Sequence, residues 1–381
     1  MVTGKYFVGL WQMKKIIFAA RLYTGTMVLE NQLISTENGK VIHIEAGKAE
    51  SAGQSVQNLA PGFIDTHING GDQFHFTQNA AIAGVEDIDR SCAALGTGYT
   101  LPSLITSPME NIYKGIDAVR SYKLLHPESG VLGMHLEGPY LNPARRGAHI
   151  LAHIKKPVTA ELKDLISYGK DTIRLMTIAP ELFTADQIDL LLDSGITISA
   201  GHSNATYGEA AAAFKQGIRL VTHLYNAMSP LHHRNPGLVG AAFDHTEVYA
   251  PIILDGHHCD FSAARIAYKI KKDKLFLISD ALFTSRKVKS FQWESFDATL
   301  KNDQYINSEG NLSGAAISLA EAVYNAVNEV GIPLQEAIEM ATIRPAKAIG
   351  LQNIAGQIAI GYPAVFTAFD DDLKTFKLIG S

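Results

Sequence analysis

The sequence predicts an α/β protein: a (β/α)8 barrel of the TIM type, with a small β-sandwich domain built from both chain ends. Three observations carry this expectation. Between residues 61 and 350, eight short apolar runs alternate with helical patterns. Residues 1–60 and 351–381 instead carry short β-like pieces broken by Gly, Asn and Ser. Each end alone is too short for a good core, so the two are expected to meet in one small domain. Strands alternating with helices imply a parallel sheet, and eight such units over this length imply closure into a barrel.

Taken in order, residues 1–15 lack the uninterrupted apolar core of a secretory signal and are expected to precede the first strand. KIIFAARLYTG, TMVLENQLIST and KVIHIEAG then have the look of a small antiparallel unit. The eight barrel runs are PGFIDTH, TLPSLIT, GVLGMHLEG, IRLMTIAP, GITISAGHS, RLVTHL, YAPIILDGHH and KLFLISDA. Helical patterns such as VEDIDRSCAALG, ENIYKGIDAVRSYKLL, ADQIDLLLDSG and FSAARIAYKIKK lie between them. After the eighth run comes a polar excursion, then two helical segments, SLAEAVYNAVNEVG and PLQEAIEMATIRPAKAIG, and the β-like texture returns beyond Gly350. A doubly wound open sheet is the alternative, but no Gly-rich dinucleotide fingerprint follows any strand.

Composition removes several function classes. An apolar content of 46% and a charged content of 19% are ordinary globular values and leave no case for disorder. The net charge of −5 and the lack of a long basic run argue against nucleic acid. No apolar stretch reaches the length of a membrane span. Two cysteines without metal-type spacing, Cys92 and Cys259, point to a reducing, cytoplasmic setting.

The chemistry gathers at the ends of the runs. TISA and RLVTH flank an alanine-rich helix pattern from Tyr207 to Gln216 and lead into His202 and His223. Strand, helix and strand of this length make a βαβ unit, so both imidazoles come to the same C-terminal edge, where ligands bind in such folds. Either histidine alone is more simply a strand cap; the pair favours a shared divalent ion. The other run ends contribute His67 and Asn69, Glu137, His258 and Asp280. Glu137 with His202 and His223 forms a one-carboxylate, two-imidazole set, which leaves a fourth position for water. For Glu137 the simpler account is a carboxylate near a helix N-terminus, and for Asp280 a turn cap. Both follow apolar strands, where an unpaired charge is costly. Which of His257 and His258 faces the site stays open. His232, His233 and Arg234 occupy a polar loop and are expected to be exposed, although arginine suits a phosphate.

HLEGPYLNPARRGAH, GHSNATY, THLYNAM, HRNPG, DGHHCD and SDA, in this order, resemble the N-acetylglucosamine-6-phosphate deacetylase family of the amidohydrolase superfamily. The resemblance runs from PGFID at residue 61 to the TIRPAKAIG helix. It implies Glu137, His202 and His223 as metal ligands, Asp280 as general base and acid, and His258 as polariser of the substrate carbonyl. It also implies a sugar-phosphate site formed by Asn226 and Ala227 through their backbone and by Arg234, with His149 close to the sugar. A homodimer is implied as well, the Arg234 loop serving the neighbouring subunit. The cofactor implied is one divalent ion per subunit, zinc first, with iron or another ion as alternatives. Many amidohydrolases carry His-X-His where His67-Ile68-Asn69 stands, so a second ion near His67 is expected to be weak. The reaction implied is hydrolysis of the N-acetyl group of a small amino-sugar phosphate to the amine and acetate. The galactosamine epimer and an inactive sugar-phosphate-binding homologue are the alternatives. Ring-opening relatives share a metal-bridging lysine on the fourth strand, and RLMTIAP has none.

Overall fold

The computed structural model describes residues 14–380, so the segment 1–15 lies outside the described residues except for Lys14 and Lys15. The chain opens with β1 (Lys15–Tyr23), β2 (Val28–Glu37), β3 (Lys40–Ala46) and β4 (Gln54–Pro61). Asn38 and Gly39 join β2 to β3 with φ of 54° and 69°. That is the left-handed pair a tight hairpin requires, and Asn-Gly adopts it at little cost. β1–β2 and β2–β3 are antiparallel, whereas β4 pairs with β1 in parallel. The three named pieces are thus antiparallel as expected, and β4, which was not read as a strand, adds a parallel pair. The meander occupies one edge of β1, so the chain must cross through a 3-10 turn at Ala49–Ser51 and run up the other edge.

The barrel strands follow: β5 (Phe63–Ile68), β6 (Thr97–Ile105), β7 (Met134–Glu137), β8 (Ile173–Ile178), β9 (Thr197–Ala200), β10 (Leu220–Val221), β11 (Ala250–Ile252) and β12 (Leu275–Leu277). Each of the eight apolar runs becomes one strand. β5 to β10 form one parallel sheet and β11 pairs with β12. The gaps close through the Leu220–Tyr249 and Ile68–Ala281 bridges. Asp280 donates its N–H to His67 O at 2.9 Å, and Asn69 donates to Ala281 O at 2.9 Å. Buried Asp65 ties the same seam, its Oδ1 accepting from the His67 and Ser279 N–H groups at 3.2 Å each. Burial pushes this carboxyl up to about 6, against the pull of the Ser279 hydrogen bonds.

The excursion after β12 is polar on one face only. It forms β13 (Ser290–Trp293), β14 (Phe296–Lys301) and β15 (Gln304–Ile306), an antiparallel three-stranded sheet. Phe291, Phe296, Ala298 and Tyr305 pack on Leu282, Phe283 and Ile150. The signal was a period-two alternation, FQWESFDATL, whose outward charges masked its buried half. After the last helices, β16 (Val365–Phe369) pairs with β4, and β17 (Phe376–Gly380) pairs with β16. Both chain ends thus share one six-stranded sheet, β17-β16-β4-β1-β2-β3. A Lys40–Pro363 bridge curls it around Ile17, Ile34, Leu59 and Phe366. No helix among the described residues is long and apolar enough to cross a membrane.

Candidate metal centre and active site

The loops leaving β5, β7, β9, β10, β11 and β12 converge on one cavity at the C-terminal edge of the barrel. Glu137 is the last residue of β7, and its Oε1 lies 3.2 Å from His202 Nε2 and 3.1 Å from His223 Nε2. The two imidazole nitrogens are 3.0 Å apart. All three side chains are almost fully buried. Four-coordinate bonds of about 2.0–2.2 Å place neighbouring ligand atoms roughly 3.3–3.6 Å apart, so this triangle has the size a divalent ion needs. The two ring nitrogens facing each other beside a carboxylate oxygen make a poor mutual hydrogen-bond set and a good donor set for a cation. His202 Nδ1 is 2.9 Å from Arg145 O, so its proton belongs on the outer edge and Nε2 is left bare toward the centre. Glu137, His149 and His202 also bring ligand atoms within 4.8 Å of one another. His149 Nε2, however, lies 3.5 Å from the other carboxylate oxygen, and its Nδ1 bonds Thr106 Oγ1 at 2.9 Å. The tighter triangle with His223 is the better cage.

Backbone geometry aims these groups. His202, His223 and Asp280, each just past a strand, have φ of 45°, 31° and 47°. Left-handed non-glycine residues are uncommon and persist where the surroundings hold them, most often at functional sites. The reversal also explains why β10 stops at Val221. Thr206 caps the helix after His202 with a reciprocal Glu209 pair, which anchors the loop.

His67 Nε2 stands 3.3 Å from Glu137 Oε2 and 3.2 Å from Asp280 Oδ1. Burial pulls its imidazolium down, but the Asp280 and Glu137 carboxylates outweigh it and raise the ring to about 9. Burial would raise the Glu137 carboxyl, yet the charge of His67 and the hydrogen bonds of His149 and His202 hold it well below the usual range. Asn69 Nδ2 donates to Asp280 Oδ1 at 2.7 Å, and its buried Oδ1 has no partner among the described residues. The sequence offered it as a weak ligand, whereas the fold uses it to orient a carboxylate.

His258, not His257, lines the cavity, while His257 is exposed and paired with Gln304. Asn226, Ala227 and His149 line it too. The Asn226 N–H is already given to His223 O at 2.9 Å, and among the described residues the Ala227 N–H has no partner. Arg234 is exposed and stands outside this chain's own cavity.

Sequence reasoning missed the floor of the site. His135 Nδ1 is 3.0 Å from Ser103 Oγ and its Nε2 is 2.8 Å from Thr177 Oγ1. Thr222 Oγ1 continues the chain at 2.8 Å to Thr177 and 2.6 Å to Ser199. Ser103, His135, Thr177 and Ser199 within four apolar strands, with Thr222 just past a fifth, were the available signal. His75, Phe296 and Leu312 also reach the cavity from segments that carried no motif. Burial alone lowers His75 to about 3, so its ring is neutral.

A profile described as the amidohydrolase family matches residues 58–380. The chain is 34% identical to the N-acetylglucosamine-6-phosphate deacetylase of Haemophilus influenzae, over 97% of this chain and 98% of that one. It is 36% identical to the N-acetylgalactosamine-6-phosphate deacetylase of a Shewanella species, over 84% of this chain and 81% of that one. The crystal structure of N-acetylglucosamine-6-phosphate deacetylase from Pasteurella multocida superposes with a TM-score of 0.91 at 34% identity, covering 97% of this chain and 100% of that one.

Proposed function

This chain belongs to the amidohydrolase family, and we propose that it hydrolyses N-acetyl-D-glucosamine 6-phosphate to D-glucosamine 6-phosphate and acetate. The observation that carries this is the convergence of Glu137 Oε1, His202 Nε2 and His223 Nε2 to 3.0–3.2 Å beside Asp280 in one cavity. Glu137, His202 and His223 would hold a divalent ion, for which zinc is the first choice. Such an ion supplies Lewis acidity and acidifies the attacking water to a pKa near about 7.

The chain's own residues do the rest. Asp280, oriented by Asn69, takes a proton as water adds to the acetyl carbon. His258 faces the carbonyl oxygen and stabilises the charge that grows there. Asp280 then returns the proton to the nitrogen as the C–N bond breaks, because an amide anion is too basic to leave. His149 borders the sugar, and Ala227 has a backbone N–H free, among the described residues, for the phosphate, whereas the Asn226 N–H is held by His223 O and would have to be released to serve it. The full-length relative and the superposing structure both favour the gluco substrate. With both epimers assayed, kcat/KM is expected to be about tenfold or more higher for N-acetylglucosamine 6-phosphate, since a site that binds a hydroxyl penalises its misplacement. The reverse order would move the assignment to the galacto epimer.

Arg234 stands outside its own cavity, which supports a reading in which it would meet the phosphate in the neighbouring subunit of a homodimer. Arg234→Ala is expected to raise KM for the 6-phosphate about tenfold or more while barely changing KM for unphosphorylated N-acetylglucosamine. Equal losses on both would mean that the residue only holds its loop. One ion per chain is the expected stoichiometry, since Asn69 is a weaker ligand than the second imidazole it replaces and two close cations repel. Metal analysis after dialysis should find about one equivalent; two, with activity following the second, would return His67 to the ligand set. Buried, unpaired Cys92 and Cys259 fit a cytoplasmic setting.

A further inference from the structure

We propose that Asp255 is a positioning residue for this reaction, binding the Nδ1–H of His258 so that Nε2 of the same ring is presented to the substrate carbonyl as a hydrogen-bond donor. The inference rests on the deacetylase reading and adds to it the device that sets the state of His258.

The local fold leaves Asp255 little freedom. Beyond β11 the chain stays buried through Ile253 and Leu254, and Leu254 O accepts from Asn325 Nδ2 at 2.7 Å. Asp255 then closes a turn on itself: Oδ1 accepts the N–H groups of His257 at 2.9 Å and of His258 at 2.7 Å. Its other oxygen, Oδ2, lies 2.7 Å from His258 Nδ1. Three donors in different directions pin one carboxylate, and the two side chains are only 7% and 8% exposed. Gly256 completes the turn at φ 75°, and a Cβ there would stand 3.0 Å from the Phe261 ring.

A carboxylate can only accept, so Nδ1 must carry a proton whatever the charge of the ring. Nε2 is then bare in the neutral ring and an N–H in the imidazolium, and only the second can donate to a carbonyl oxygen. Burial disfavours the imidazolium, but the hydrogen bond and charge of Asp255, with Asp280 further off, outweigh it and raise His258 above the ordinary histidine range. Burial would likewise raise Asp255, and the hydrogen bond and charge of His258 hold it below the carboxylate range. The other neighbours do not compete. Burial pushes the Cys259 thiol up to about 12, which keeps it neutral. Arg286, in the separate cleft behind Asp255, is paired with Asp303 at 3.1 Å and Glu321 at 2.9 Å.

Asp255→Asn keeps an oxygen for the turn, removes the charge and turns an amide N–H toward Nδ1. Nε2 of the neutral ring then still carries a hydrogen but donates more weakly than the imidazolium. In metal-replete enzyme, kcat is expected to fall about 10–100-fold with KM changed less than about threefold. The alkaline limb of the kcat/KM profile should move to lower pH, because a ring without its carboxylate loses its proton sooner. In a His258→Gln background the same substitution should cost less than about twofold more. Ring nitrogen NMR should show His258 Nδ1 protonated in the wild type, with a titration that moves down in Asp255→Asn. An unchanged kcat, an equal loss in both backgrounds, or an unmoved titration would each overturn the proposal. The NMR arm needs no turnover, so it still decides the pair if the wild type releases no acetate and the deacetylase reading fails instead.

Discussion

Asp280→Asn is expected to lower kcat by roughly 10²-fold or more while leaving the metal content and the thermal transition close to those of the wild type. The side chain is held from two sides, by Asn69 Nδ2 at 2.7 Å and by His67 Nε2 at 3.2 Å, both on Oδ1. Oδ2 is thereby left for the proton that moves. An amide in the same place preserves shape but neither takes a proton from water nor returns one to the amine. The loss should therefore fall on kcat with little change in KM, as for an interaction made mainly in the transition state. Near-normal kcat in a metal-replete mutant would remove Asp280 from the chemistry.

Glu137→Gln should do the larger damage, and through the metal. Glu137 Oε1 is one corner of the 3.0–3.2 Å triangle, and Oε2 faces His67 and His149. Loss of a supporting partner of a metal ligand costs about 10–100-fold in affinity, and loss of the only carboxylate of the set should exceed that. Dialysed mutant is expected to hold well below one equivalent and to recover only part of its activity in excess metal. One tightly held equivalent in the mutant would place the ion elsewhere, with the Glu137, His149 and His202 grouping excluded as well because it uses the same carboxylate.

The barrel was legible because its strands are short, apolar and buried on both faces, a pattern that survives without knowledge of what packs where. His202 and His223 were legible for the same reason, each standing just past such a run. What stayed hidden depends on long-range pairing. The parallel return of β4 follows from which edge of β1 was free, and nothing in QSVQNLAP states that. The sheet of β13 to β15 presents one buried face behind a charged one, so its polarity was legible and its fold was not. Asn69 looked like a weak ligand in HIN, and only the seam between β5 and β12 brings it to Asp280. The hydroxyl chain around His135 was spread over four strands and the residue just past a fifth, too thin a signal in any single run. Arg234 shows a different limit, since an exposed loop residue outside the cavity leaves no trace of its role in the packing of its own chain.

The most direct test of the whole account is product analysis on purified protein loaded with one equivalent of divalent metal and given N-acetyl-D-glucosamine 6-phosphate. Acetate and free amino-sugar phosphate should appear in equal amounts, and the reaction should stop when the metal is removed and resume when it is restored. No acetate at any metal loading, from protein whose Glu137, His202 and His223 are intact, would contradict it.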